Sequence, residues 1–484
     1  MKKSKYLLAC VAMAVLFLAS CEKKPTPEPL PRIDPDAKTF LMYDNIGSPW
    51  FEADVAEAGR AVAEGVLAKG HRVLVFHREY AQTTGYDYCN VIYELVCAPR
   101  ENGGYLRRVL KNYGEEMSSF DVETVAAVVG DMRTLAPANH YGLAFGSHGR
   151  GWIPKANDTG IGRRAPGGYH TPEDGSAPEG GDAMTTGSEG GFDPDMFAPL
   201  WQIPDSPATR SGSAETSFGN PDTPATRYLS SDKNETMDVA EFADALDEWE
   251  WDFIIFDDCF MASVEAQYEI RHLADYFIAS PTEIMIEGFP YDRVVRNLFK
   301  VEPGDVEPNV VSGVGWGDLS ALVADYVNYY KNHPLNPYGT LSLVRTDRLE
   351  SLARSVRAIM ESPEWAGMTN PATASTVEGD DVGVQFYDGL RTHVFYDLGD
   401  FVRKGGVDTE SALYRDFEAA LSDAVVYAGH TEFFYSNMYT NTSGVYIPVD
   451  WFSGLSTFIP WSGTAPLMPF YEETAWYRDA YPTE

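Results

Sequence analysis

The sequence predicts an α/β protein built on a mainly parallel sheet covered on both faces, followed by a mixed, helix-rich region. Three observations carry that prediction. Short, near-continuous apolar runs recur, such as "TFLMYD", "YGLAFG" and "DFIIFDD", and strands of this kind are buried on both faces, as in parallel sheets. Between them lie stretches with apolar residues at helical spacing, and strand–helix alternation marks parallel crossover units. The chain also has 484 residues, 44% of them hydrophobic, enough for a large core and more than one domain's usual length.

From Lys38 the elements follow in order. "TFLMYD" reads as a strand and "FEADVAEAGRAVAEGVLAKG" as a helix ending at Gly70. "HRVLVFHRE" and "DYCNVIYELV" are strands, and "SSFDVETVAAVVGDMRTL" is a helix opened by its serines. "YGLAFGSHG" is a strand and turn, "TMDVAEFADALDEW" a helix, "DFIIFDD" a strand, "MASVEAQYEIRHL" a helix and "DYFIAS" a strand. Residues 38–300 therefore form the core, interrupted at 155–235 by a Gly/Pro/Ser-rich insertion with little apolar surface to bury. Residues 301–484 read as a C-terminal helical and mixed region with no clean boundary to the core, with helices at "WGDLSALVADYVNYYKN" and "RLESLARSVRAIMES", a strand at "GTLSLVR" and an aromatic-rich tail. Ligands of such sheets bind beyond the carboxyl ends of the strands, where His148 and Cys259 both fall.

The amino terminus carries three lysines, an apolar run from Tyr6 to Ala19 and small residues before Cys21. The run is short for a bilayer span and reads as a signal peptide, residues 1–20. "LASC" resembles the lipobox of bacterial lipoproteins, which implies an acylated Cys21 and a Pro-rich tether over 21–37. The expected location is thus the bacterial cell envelope, periplasmic or surface-exposed, anchored to the outer or cytoplasmic membrane through the lipid. A formal net charge of −35 argues against a nucleic-acid partner and favours cationic ligands such as basic peptides. Cys89 and Cys97 bracket one expected strand, roughly 26 Å apart at ~3.3 Å per residue, and cannot pair within it. Cys259 is left as a free thiol.

Nucleophilic cysteine chemistry needs a thiolate, an imidazole to handle the proton and donors for the oxyanion. Cys259 lies between a strand and a helix, whose N-terminus would favour the thiolate. His148 ends another strand, and Gly149 after it lets a backbone N–H approach a substrate carbonyl. Singly, each residue is more often structural; at corresponding strand ends they point to a site. "SHGRGW" and "FDDCFMASVE" resemble the His-Gly and Asp-x-Cys-x-Met signatures of the clostripain family of cysteine peptidases, and "ATRYLSSDKNETMDVAEFADAL" and "ASPTEIMIEGFPY" resemble segments flanking its nucleophile. The resemblance implies a caspase-like three-layer sandwich, with His148 as catalytic histidine, Cys259 as nucleophile, and the amides of Gly149 and Cys259 as oxyanion hole. It also implies that Asp257 lines a pocket for Arg or Lys, the alternative being a helix cap. A second pocket acid matches Glu287, without the family's Pro-Gly turn, and Glu283 is the other choice. Self-cleavage between His148 and Cys259 is a family habit, for which Lys155, Arg163, Arg164, Arg210 and Arg227 are the candidate positions.

The expected function is a lipid-anchored cysteine endopeptidase acting on protein or peptide substrates, without a cofactor. Calcium is implied by the resemblance to some members alone, and no recognisable loop for it occurs. The alternative is a non-catalytic surface lipoprotein that binds peptide or glycan on the same fold through its aromatic tail. The absence of HExxH and CxxC and the scatter of nine histidines argue against a zinc hydrolase.

Overall fold

The computed structural model describes residues 36–44, 49–79, 89–98, 104–114, 121–147, 149–153, 237–299, 316–373, 383–390, 392–437 and 445–482. All lie in one compact unit, Pro35–Glu484. The signal peptide, Cys21, His148, the 155–235 insertion and its Lys155, Arg163, Arg164, Arg210 and Arg227 lie outside the described residues. Among those described, no helix is long and apolar enough to cross a membrane.

The strands of the main sheet are β1 (Lys38–Asp44), β2 (Arg72–Glu79), β3 (Cys89–Cys97), β4 (Tyr105–Gly114), β5 (His140–Gly146), β6 (Trp251–Asp257), β7 (Ala274–Ala279), β8 (Thr340–Arg345) and, after the short β9 (Tyr396–Asp397), β10 (Val425–His430). They run in the order β10-β8-β7-β6-β5-β1-β2-β3-β4. The five central strands are parallel, and an antiparallel pair flanks them on each side. Alternate residues of the central strands serve two separate cores. Leu41, Tyr43, Ile254 and Phe256 face one; Phe40, Met42, Phe253 and Ile255 face the other.

Helices close both cores. On the first face lie α2 (Val122–Leu135), α3 (Val239–Leu246), α4 (Val264–Glu269), α7 (Leu349–Met360), α8 (Leu398–Arg403), α9 (Ala412–Ala424) and α11 (Ala475–Ala480), and on the second α1 (Pro49–Ala63), α5 (Tyr291–Phe299) and α6 (Leu319–Lys331). This is the three-layer α/β sandwich expected from the sequence. The remaining elements are a hairpin of β11 (Phe433–Ser436) and β12 (Val445–Pro448), the strand β13 (Ser456–Thr457) paired with β9, and the short helix α10 (Met468–Tyr471).

Several boundaries differ from the sequence reading. Helix α1 stops at Ala63 rather than Gly70, because Gly65 turns left-handed at φ +80°. Helix α2 is capped by Asp121, whose side chain accepts from Thr124 N, rather than by the preceding serines. Strand β4 was not legible: it is an edge strand of charged and half-buried residues, including Arg107, Arg108 and Lys111, with no clean apolar alternation. Residues 301–484 do not stand apart, since β8 and β10 extend the sheet next to β7.

Candidate active site

Strands β5 and β6 are parallel neighbours and end in register, Gly146 beside Asp257. The turns that follow therefore emerge together at one edge of the sheet. Ser147 N–H donates to the Asp258 carboxylate, tying the first turn to the second. Gly149 packs backbone to backbone against Cys259: a Cβ added there would stand 1.8 Å from its carbonyl oxygen. Gly151, at φ +55°, sits against Phe260 O and the Phe395 ring. Trp152 then anchors the turn between Phe458 and Tyr471, at ring distances of 5.0 and 5.2 Å. Only glycine fits at 149 and 151 without pushing the two turns apart.

The cysteine turn is held from three sides. Phe260 N–H donates to Thr282 O and Ala262 N–H to Ser280 O, each at 3.0 Å. Ser456 N–H donates to Ala262 O, also at 3.0 Å. The hydroxyls of Ser280 and Thr282 both meet that of Thr340 at 2.8 Å, so the strand beneath is fixed as well. Phe260 has φ +61°, a conformation that a bulky residue holds only when its surroundings impose it. The imposition is visible: its ring stacks on Phe395 at 4.4 Å with planes 7° apart.

The sulfur is almost fully covered, at 1% exposure, and accepts from Ile284 N–H at 3.3 Å. Burial pushes the thiol well above its ordinary pKa, and the carboxylates of Glu283, Asp258 and Asp257 push the same way against the opposing hydrogen bond from Ile284. The expectation that a helix N-terminus would favour the thiolate is not met in this geometry. Helix α4 is capped by Ser263, four positions beyond the sulfur, and the nearer charges are negative. Burial and the nearby carboxylates thus favour the neutral thiol of Cys259.

The acids around it divide by partner. Asp257 is fully buried and accepts from Tyr291 O–H at 3.2 Å; it does not cap α4. Asp258 reaches the neighbouring turn. Glu283 is the carboxylate felt most strongly at the sulfur and accepts from Asn437 N–H through both oxygens at 3.1 Å. Glu287 lies farther along and takes the Asn336 side-chain amide. Among the described residues, no group of three or more His, Cys, Asp or Glu side chains is arranged to hold a metal. Gly149, Cys259, Asp257 and Glu283 thus share one edge, while Phe395 and Ser456 join it from far downstream without any local sequence signal.

The sequence pattern described as the Clostripain family matches residues 215–478. Among solved structures, an inactive zymogen C11 protease from Parabacteroides distasonis superposes with a TM-score of 0.64 at 21% identity, covering 94% of this chain and all of that one. A secreted C11 cysteine protease from Bacteroides thetaiotaomicron, "iotapain", gives 0.62 at 21% identity, covering 93% of this chain and 100% of that chain. A secreted C11 cysteine protease from the same organism, in complex with an irreversible peptide inhibitor, gives 0.61 at 20% identity, with 92% and 99% covered. At these identities the likeness is one of fold. No curated protein matches the sequence.

Proposed function

The chain belongs to the clostripain family of cysteine peptidases, and on that footing we propose a lipid-anchored endopeptidase that cuts after Arg or Lys with a Cys259–His148 dyad. It is a cysteine-type endopeptidase, not the non-catalytic binder that its aromatic tail also suggested. The observation that carries the site reading is the seating of Gly149 against Cys259, which brings the two turns into contact at a buried cysteine that is not in a disulfide.

In the proposed cycle, His148 takes the proton of the Cys259 thiol, and the thiolate attacks the scissile carbonyl. The amides of Gly149 and Cys259 hold the resulting oxyanion. His148 returns the proton to the leaving amine, and water releases the acyl group. The negative field of Glu283 and Asp257 has two consequences for this chemistry. It attracts a guanidinium or ammonium, and it keeps the thiol protonated until such a cation arrives to offset it. Recognition of the basic residue and ionisation of the nucleophile are then one event. Glu287 is the remaining pocket candidate, with Glu283 preferred because the sulfur senses it.

Anchoring through Cys21 in the bacterial cell envelope, and self-cleavage after Lys155, Arg163, Arg164, Arg210 or Arg227, belong to the same proposal. The inactive zymogen among the C11 structures of like fold is consistent with such processing. Fluorogenic peptides ending in Arg, Lys or Ala test the reading, compared across wild type, Cys259→Ala and His148→Ala. Turnover of Arg or Lys peptides that either substitution abolishes is expected; turnover that survives Cys259→Ala would end the proposal. Gel analysis of wild type and Cys259→Ala reports self-cleavage directly.

A further inference from the structure

The aromatic tail does two things, and only one of them is core packing. In the β11–β12 hairpin, Phe434 and Ile447 point inward and are buried. The opposite side carries Phe433, Tyr435, Tyr446 and Pro448, because residues two apart along a strand share a side; Tyr435 there is fully buried in the second core, so the rings that face solvent are Phe433 and Tyr446. Tyr435 and Tyr446 sit directly across from one another, with ring centroids 5.4 Å apart. Tyr338 closes the group at 5.1 Å from Tyr446 and 6.1 Å from Tyr435. Tyr446 is 53% exposed and Phe433 37%, a cost that a lone domain ordinarily avoids by burying such rings.

A chain of hydrogen bonds links this face to Cys259. Tyr435 O–H donates to Asn437 Oδ1 at 2.9 Å. Asn437 N–H is the group that holds the Glu283 carboxylate, and the next residue, Ile284, donates to the Cys259 sulfur. On the other side, Tyr338 lies two residues from Asn336, the partner of Glu287. The rings are thus tied by hydrogen bonds to the acids beside which the basic side chain is proposed to sit, and Tyr446 and Phe433 expose π-faces and ring edges that can pack an apolar group.

We propose that this tyrosine face is a substrate subsite that takes an aromatic or long aliphatic side chain lying a few residues from the bond that is cut. The inference rests on the endopeptidase reading above and adds the second determinant: a basic residue beside the scissile bond and an apolar one on the hairpin. Occupancy of Tyr446 also couples to Glu283 through the Tyr435–Asn437 link, so the two subsites are not independent.

The test is a set of Arg-based fluorogenic peptides carrying Phe, Leu, Ala or Asp in turn at each position flanking the Arg. In wild type, Phe or Leu at one position should exceed Ala in kcat/KM by roughly tenfold, a typical discrimination for a hydrophobic contact, with the gain in KM. Tyr446→Ala should bring the Phe/Ala ratio close to one, Tyr446→Phe should keep it, and Tyr427→Ala, an exposed ring on β10 away from this face, should leave it unchanged. The same ratio is read without turnover from peptide binding to Cys259→Ala with and without Tyr446→Ala. A binding preference in that background with no catalysis in wild type would sink the peptidase mechanism and keep the subsite. A Phe/Ala ratio unchanged by Tyr446→Ala, or absent from wild type, overturns the subsite. So does concentration-dependent self-association that Tyr446→Ala abolishes while the ratio stays put.

Discussion

Adding one methyl group at Gly149 addresses the site most directly. In Gly149→Ala the new Cβ would stand 1.8 Å from Cys259 O and 2.9 Å from Cys259 N, whereas real Cβ atoms keep at least 3.0 Å from such neighbours. The two turns must then part by roughly 1.2 Å, the gap between 3.0 and 1.8 Å. A displacement of ~1 Å at a reacting centre costs about a hundredfold in rate, and losing one oxyanion donor costs ~10²–10³. The expected fall in kcat/KM for an Arg-based peptide is therefore about a hundredfold, or ~2.7 kcal/mol of transition-state stabilisation. Crowding of this sort also lowers stability by ~1–3 kcal/mol, so the variant should melt earlier yet keep its circular dichroism. A folded Gly149→Ala enzyme within a few-fold of wild-type kcat/KM would refute the argument that these turns form one catalytic unit.

Three further outcomes follow from the charges and the ring stack. Glu283→Gln keeps the shape and the acceptor for Asn437 but removes the carboxylate charge that raises the Cys259 thiol most; iodoacetamide should label Cys259 faster and from a lower pH than in wild type, and unchanged rates across pH would contradict it. Glu265 is fully buried, takes Phe458 N–H at 2.7 Å, and has a pKa raised to about 7 against ~4.3 in an unfolded chain. Between those values the folded state holds a proton that the unfolded state has lost, so stability falls as pH rises through the window, by ~4 kcal/mol in all. Glu265→Gln cannot ionise; its melting temperature should gain on wild type from pH 5 to pH 8, and a constant difference would refute the sign. Phe395→Ala removes the ring that holds Phe260 at φ +61°, costing ~3–5 kcal/mol and activity together; loss of stability with kcat intact would show that the stack does not position the nucleophile.

Most of the parallel core was legible because its strands are buried on both faces and so read as unbroken apolar runs. The same logic failed at β4, whose charged edge leaves no such signature, and at β10, whose mixed "VVYAGH" has none either. At the site, Cys259 and Gly149 could be found from their positions after strands. The acids were legible in part: Asp257 beside the sulfur and Glu283 as the alternative to Glu287 follow from the sequence, whereas Asp258, just past the end of β6, meets the β5 turn through a contact that no local pattern signals. Phe395 and Ser456 were out of reach of any local pattern, since only the closed fold brings them to the turn. The helix-dipole argument for a thiolate failed for a physical reason, the excess of nearby carboxylates.

The stacking partner of Phe260 and the backbone that grips Ala262 come from residues translated long after Cys259. Until those downstream segments dock, the cysteine turn lacks the ring and the N–H that hold its shape. Under the proposed mechanism, the geometry of attack is therefore complete only once Phe395 and Ser456 are in place.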